Sequence, residues 1–284
     1  MTLDFIYPDA PIGAECRGVN LAEIGHDDFT ALSKLFDERS VLCIRDQNLS
    51  ESAYINFAKR FGAVEQLYMS DYAHPEYPEI LIVSNIKKGG KDIGHADAGR
   101  VWHTDMSFME KPPRATMLHA RELPVRNGVT LGDTHFSSMT AAYEALTDTQ
   151  RKRLEGLQVV HDVFGRRKKT QTHTHQDNLR KKQPKVTHPF VRTHPRTGRK
   201  GLYVSPGECI AIPGLPDAEA LKLIDEMAAL IPQERFHFTH KWRMGDVLIW
   251  DNCAVQHLAS FDYIWPEERR LMWRITVDPI APTN

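Results

Sequence analysis

This sequence predicts a mainly β domain with helices on its flanks, and three observations predict it. Short apolar runs rich in Val, Ile and aromatic residues recur along the chain, turn-forming Gly, Pro, Asn and Asp separate them, and helical periodicities gather at the front and in interruptions. Strict alternation of strands with helices would instead indicate a parallel α/β sheet. With 284 residues, 41% of them hydrophobic and 26% charged, the chain suits one elaborated soluble domain spanning residues 1–284.

In chain order, Phe29, Leu32 and Phe36 recur at helical spacing behind Asp27 and Asp28, with Asp28 placed as a cap, and an apolar run at 41–45 reads as a strand. Ser50 reads as the N-cap of a second helix carrying Tyr54, Phe57, Ala58 and Phe61, with Gly62 past its C-terminus. Further strands are expected at 80–84, 101–105, 116–120, 133–136, 159–162, 190–193, 202–204, 236–242, 247–250 and 270–277, and helices at 140–146, 148–156 and 217–230. The sequence contains no internal repeat and no linker rich in Gly, Pro and Ser.

Composition removes several classes of function. A formal net charge of -1 gives no global attraction to nucleic acid or to an anionic membrane. No apolar run approaches the roughly 20 residues that span a bilayer, and residues 1–11 lack the basic-then-apolar plan of a signal peptide. Cys16, Cys43, Cys209 and Cys253 are far apart and form no Cys-x-x-Cys pair, so a reducing cytoplasm fits best. Charge is uneven locally: residues 165–185 hold Arg166, Arg167, Lys168, Lys169, Arg180, Lys181, Lys182 and Lys185 against only Asp177. A solvated, lid-like insertion at about 165–188 is the economical reading, since a nucleic-acid-binding module would need aromatic interleaving or a recognisable motif.

His-x-Asp occurs four times in a chain with 14 histidines, as His26/Asp28, His95/Asp97, His103/Asp105 and His175/Asp177. Only His103 and Asp105 lie in a strand-like apolar context, 101–108, where alternate residues would face the same way and present an imidazole and a carboxylate to one ion. A third ligand must come from elsewhere, and the segment 245–257 supplies a buried strand, a turn and His257. Two His and one carboxylate on one face of an octahedron leave three positions open, the arrangement of non-heme Fe(II) oxygenases. The same three could hold catalytic zinc in a hydrolase, although no His-Glu-x-x-His helix accompanies them.

At this point the chain resembles the taurine dioxygenase (TauD/TfdA) family of Fe(II)- and 2-oxoglutarate-dependent dioxygenases over nearly its whole length. The residues that carry the resemblance are Trp102-His103-Thr104-Asp105, Gly132-Asp133-Thr134, residues 141–146, Arg192-Thr193-His194-Pro195, Trp250-Asp251-Asn252, His257, and Arg269-Arg270 with Arg274. The connection 124–131 and the segment 257–270 are longer than the family pattern.

The resemblance implies a double-stranded β-helix (a cupin-like jelly roll), with His103, Asp105 and His257 as iron ligands and catalytic centre. It further implies that Thr134 and Arg270 hold the distal carboxylate of 2-oxoglutarate, and that a small organic substrate is hydroxylated by O2 with release of succinate and CO2. A guanidinium matches a carboxylate with paired charge-assisted hydrogen bonds. Arg274, four residues after Arg270, should face the same way and grip an anionic group of a sulfonate, carboxylate or amino-acid-like substrate, with Tyr68 close by. A homo-oligomer without nucleic-acid or membrane partners is expected.

Overall fold

In the computed structural model the described residues are 3–64, 70–96, 99–166 and 184–278. The larger of the two sheets that frame the site has seven strands in the order Asp4–Ile6, Ala14–Arg17, Val41–Ile44, Val247–Asp251, Ala115–Glu122, Leu271–Val277, Leu81–Ser84. Neighbours are antiparallel except Ala14–Arg17 with Val41–Ile44. Facing it, Thr134–Ser138 lies between His237–His240 and Val255–Ala259, antiparallel to both.

The central strands read as unbroken apolar runs because both of their faces are buried. The two-residue period sorts them: Leu42, Ile44, Met117, Val247, Ile249 and Ile275 face outward to the helices, while Val41, Cys43, Leu118, Leu248, Trp250 and Met272 face the second sheet. His26–Arg39 and Glu51–Lys59 cover the outer face with Leu32, Leu35, Phe36, Tyr54 and Phe57. The Ser50 hydroxyl accepts from the Ala53 N–H, as its N-cap role requires.

A third body of structure packs beside the second sheet. There Val186–Pro189, Gln158–His161 and Cys209–Ala211 form a small sheet, joined by Met139–Glu144, Asp148–Leu154 and Asp217–Ala228 around Leu154, Phe190, Leu223 and Ile224.

Several expectations need correction. Residues 101–105 do not form a strand: His103 alone makes a bridge, to His257, and the chain then turns at Met106, whose φ of 54° cannot continue an extended backbone. Residues 253–256 are not simply a turn, because Val255–Ala259 is a strand that carries His257. Gly62 is no helix cap, for the second helix ends at Arg60 in the right-handed region. Gly25, with no side-chain cap bond, precedes the first helix, and Asp27 and Asp28 sit within its first turn. Both length departures from the family pattern form local structure: Val125–Arg126 and Val129–Thr130 make a hairpin across Asn127 and Gly128, and Arg126 forms an ion pair with Glu268.

Candidate active site

His103 and His257 are brought together by their own backbones. Each N–H donates to the other's carbonyl, His103 to His257 at 3.2 Å and His257 to His103 at 2.8 Å, and the ring centroids stand 4.2 Å apart. Asp105 reaches them from the start of the turn: its Oδ1 lies 3.7 Å from His103 Nε2 and 3.9 Å from His257 Nε2. One donor atom from each residue falls within 4.8 Å of the others, so the expected trio does converge, through a turn and not through strand alternation.

The protonation states suit a cation. His103 Nδ1 donates to the Val101 carbonyl at 2.8 Å, which leaves the Nε2 lone pair for a metal. Burial, then the neighbouring His103 and Arg274, push His257 down to about 3, so its ring is neutral near pH 7; its Nδ1 is buried without a partner. Burial works to raise the Asp105 carboxyl, but Arg274, the two imidazoles and the Thr116 hydroxyl outweigh it and hold the group ionised.

The same cavity extends past Val83, Leu118, Ala259 and Trp250 to Thr134 and Arg270. Thr134 Oγ1 accepts from Trp242 Nε1 at 3.1 Å, so its own proton is free to donate. Arg270 is buried, forms no carboxylate ion pair among the described residues, and leaves its Nε without a partner. Burial pulls its pKa down and Tyr263, beside it, pulls it back. Gly132 explains the start of the Gly-Asp-Thr motif: at φ 81° it packs where a Cβ would stand 3.3 Å from both Arg270 Nε and a Tyr263 ring carbon.

Arg274 faces the cavity together with Arg270, but its guanidinium already meets an anion, Asp105 Oδ1 at 2.9 Å, so an internal acid answers the charge that the sequence reading left for a substrate. Tyr68 lies outside the described residues, as does most of the insertion 165–188. Of its basic residues, Arg166 pairs with Asp225. Sequence reasoning missed Thr116, Tyr263 and the side chain of Asn252. Thr116 could have been found as a polar residue on the inward phase of a buried strand, and Asn252 from its place in the Trp-Asp-Asn motif.

A cavity that joins two His, with a carboxylate beside them, to a buried guanidinium without an ion pair is what a metal and a dicarboxylate require together, and comparison with known proteins points the same way. The profile of the "Taurine catabolism dioxygenase TauD, TfdA family" matches residues 6–276. The chain belongs to this family. Among curated relatives, pentalenolactone F synthase of Streptomyces arenae is 32% identical over 97% of this chain and 96% of its own length. The alpha-ketoglutarate-dependent 2,4-dichlorophenoxyacetate dioxygenase of Cupriavidus pinatubonensis is 34% identical over 89% of each. Among solved structures, AAD-2 in complex with Mn(II) and N-oxalylglycine superposes with a TM-score of 0.80 at 26% identity, covering 100% of both chains.

As a member, the protein is a 2-oxoglutarate-dependent non-heme iron dioxygenase that uses Fe(II), O2 and a small-molecule substrate. The residues present fit those cofactors: two imidazole nitrogens and a carboxylate for the metal, and a buried guanidinium and a free hydroxyl proton for a carboxylate.

Proposed function

We propose that His103, Asp105 and His257 hold the iron, that Thr134 and Arg270 hold the distal carboxylate of 2-oxoglutarate, and that the protein hydroxylates a small anionic organic substrate. One observation carries the reading: Arg270, which forms no carboxylate ion pair among the described residues, lines the same cavity as His103 and His257, the two imidazoles that stand beside Asp105. A charge buried without a partner is costly, so the site is built to receive an anion there. When bound, the iron and 2-oxoglutarate supply the oxidising chemistry, with release of succinate and CO2.

The protein's own part is to orient and to exclude water. Val83, Leu118 and Trp250 line the cavity with apolar surface, which strengthens each polar contact inside it. Charge balance supports an anionic substrate. The metal, Arg270 and Arg274 bring four formal positive charges, and Asp105 with 2-oxoglutarate brings three negative ones, which leaves one for a carboxylate or sulfonate. The relatives named for 2,4-dichlorophenoxyacetate and (S)-phenoxypropionate, and one named a sulfonate dioxygenase, agree with this class. Arg274, whose Nε stays free, is the proposed substrate contact, with Tyr68 as a second.

The paired facing sheets support a double-stranded β-helix within a single domain 1–284. Four free cysteines support a cytoplasmic setting, and exposed Val125, Val129 and Ile264 offer apolar surface for a homo-oligomer. No described helix is long and apolar enough to cross a membrane. The run of basic residues in 165–188 supports a lid role, and the net charge of -1 supports a protein without a nucleic-acid partner.

The test is a screen of 2-oxoglutarate turnover, read as succinate, against aryloxycarboxylates, sulfonates, sulfates, amino acids and the neutral amides of the carboxylates. Stimulation by one anionic class and none by its amides is expected; equal stimulation by the amides would overturn the anionic-substrate reading.

A further inference from the structure

Resting on the metal reading above, we infer that Thr116 and Asn252 are positioning residues that restrict Asp105 to a single ligand oxygen. Four side chains and one backbone group form a closed ring around this carboxylate. Thr104, the middle residue of His-Thr-Asp, donates through its hydroxyl to the Asn252 carbonyl at 2.7 Å. Asn252 Nδ2 donates to Thr116 Oγ1 at 3.1 Å, and Thr116 Oγ1 donates to Asp105 Oδ2 at 2.7 Å. The ring thus leaves the metal motif at Thr104 and returns to it one residue later.

The direction of every bond follows from chemistry. Thr116 Oγ1 donates to Asp105 Oδ2, so its one hydroxyl proton points there. Thr116 oxygen then has only lone pairs to offer, so the group of Asn252 that faces it must be the NH2. Asn252 is in turn fixed through both backbone groups, its N–H donating to the Arg114 carbonyl at 2.9 Å and its carbonyl accepting from Thr104. Thr104, Thr116 and Asn252 are all buried, so water does not compete for these bonds.

The consequence is specific to one atom. Oδ2 is committed to Thr116, and Oδ1, which also meets Arg274 at 2.9 Å, is the oxygen that stands within 3.9 Å of both imidazole Nε2 atoms. A carboxylate free to rotate could chelate a metal through both oxygens and fill a position that 2-oxoglutarate or O2 needs. Pinned by Thr116, it presents one. The Trp-Asp-Asn motif and the central residue of His-Thr-Asp therefore have a shared task, and neither touches the reacting atoms.

The experiment is titration of the purified full chain with Mn(II) by calorimetry, which reads the site without turnover. Thr116→Val keeps shape and strand preference while removing the donor, and is expected to weaken binding by about tenfold to a hundredfold, the usual range for loss of a ligand's hydrogen-bond partner. Thr116→Ser restores the hydroxyl and should return the affinity to within about threefold of the native protein, which a purely packing role for Thr116 would not do. Unchanged affinity in Thr116→Val, with Asp105→Ala unable to bind, overturns the inference and leaves the metal reading intact. Failure of the native protein to bind, or full binding by Asp105→Ala, would sink the metal reading itself. If Thr116→Val does not fold, Asn252→Ala decides by the same titration: weaker binding supports the ring, and unchanged binding overturns it.

Discussion

Among the described residues two clusters each gather three potential metal donors, and they differ in what surrounds them. His103 and His257 line a cavity with Asp105 buried behind them; Cys43, His240 and Asp246 lie wholly buried between sheet and loop. In the second cluster Asp246 Oδ2 accepts from the Arg45 guanidinium, from His240 Nε2 at 3.1 Å and from the Arg243 N–H at 2.7 Å. Burial, then the nearby Asp246 charge, drive the Cys43 thiol well above its usual value, so it stays protonated and offers no thiolate. In the first cluster the imidazole nitrogens that face inward have no protein donor to satisfy them, and Asp105 keeps one oxygen toward them. Donor identity alone does not make a site: the second cluster spends its donors on holding the fold, whereas the first keeps its two cavity-lining imidazoles for a ligand, with Asp105 Oδ1 shared with Arg274.

The largest expected effect separates the clusters by stability. Asp246→Ala strips the buried acceptor shared by Arg45 and His240, leaving Arg45 only Glu15, and should cost about 3–5 kcal/mol in denaturant unfolding, the usual range for breaking a buried ion pair. Mn(II) affinity of the folded fraction should stay within a few-fold of native. A large loss of metal affinity without loss of stability would reverse the roles assigned to the two clusters.

A smaller effect tests the far end of the cavity. Arg270→Ala should raise the 2-oxoglutarate concentration needed for half-maximal succinate formation by tenfold to more than a hundredfold, from about 1.5–3 kcal/mol for a charge-assisted contact. Mn(II) binding should survive, since Arg270 touches none of the three donors. An unchanged requirement for 2-oxoglutarate would move the carboxylate to another cation, with Arg274 the first candidate.

Which parts were legible in the sequence follows from how local their causes are. Strands buried on both faces, such as Val247–Asp251 and Val41–Ile44, announce themselves as apolar runs, and the Ser50 cap is a three-residue signal. The pairing of His103 with His257 is written in no local pattern, because a single bridge between segments 154 residues apart is set by the sheet that presents Val255–Ala259. The turn at Met106 was equally hidden: a left-handed backbone at Met carries no Gly or Asn signal, and tertiary contacts impose it. The Asn127-Gly128 hairpin, by contrast, had its usual sequence mark and could have been read. For the site, residue types and order singled out the proposed metal donors, and the family resemblance singled out Thr134 and Arg270, which line the same cavity as His103 and His257. The partner of Arg274 was not legible, since it depends on which acid the fold lays against it.

The central claim is that one metal sits among His103, Asp105 and His257 beside a carboxylate held by Arg270. Its most direct test is an anaerobic titration of the native chain with Fe(II) in the presence of 2-oxoglutarate, followed by the weak visible charge-transfer absorption of the chelate. The account predicts one Fe(II) per chain, with the band abolished in His103→Ala, Asp105→Ala and His257→Ala and retained in His240→Ala. Full-strength absorption in any of the first three variants, or its loss only in His240→Ala, would contradict the assignment.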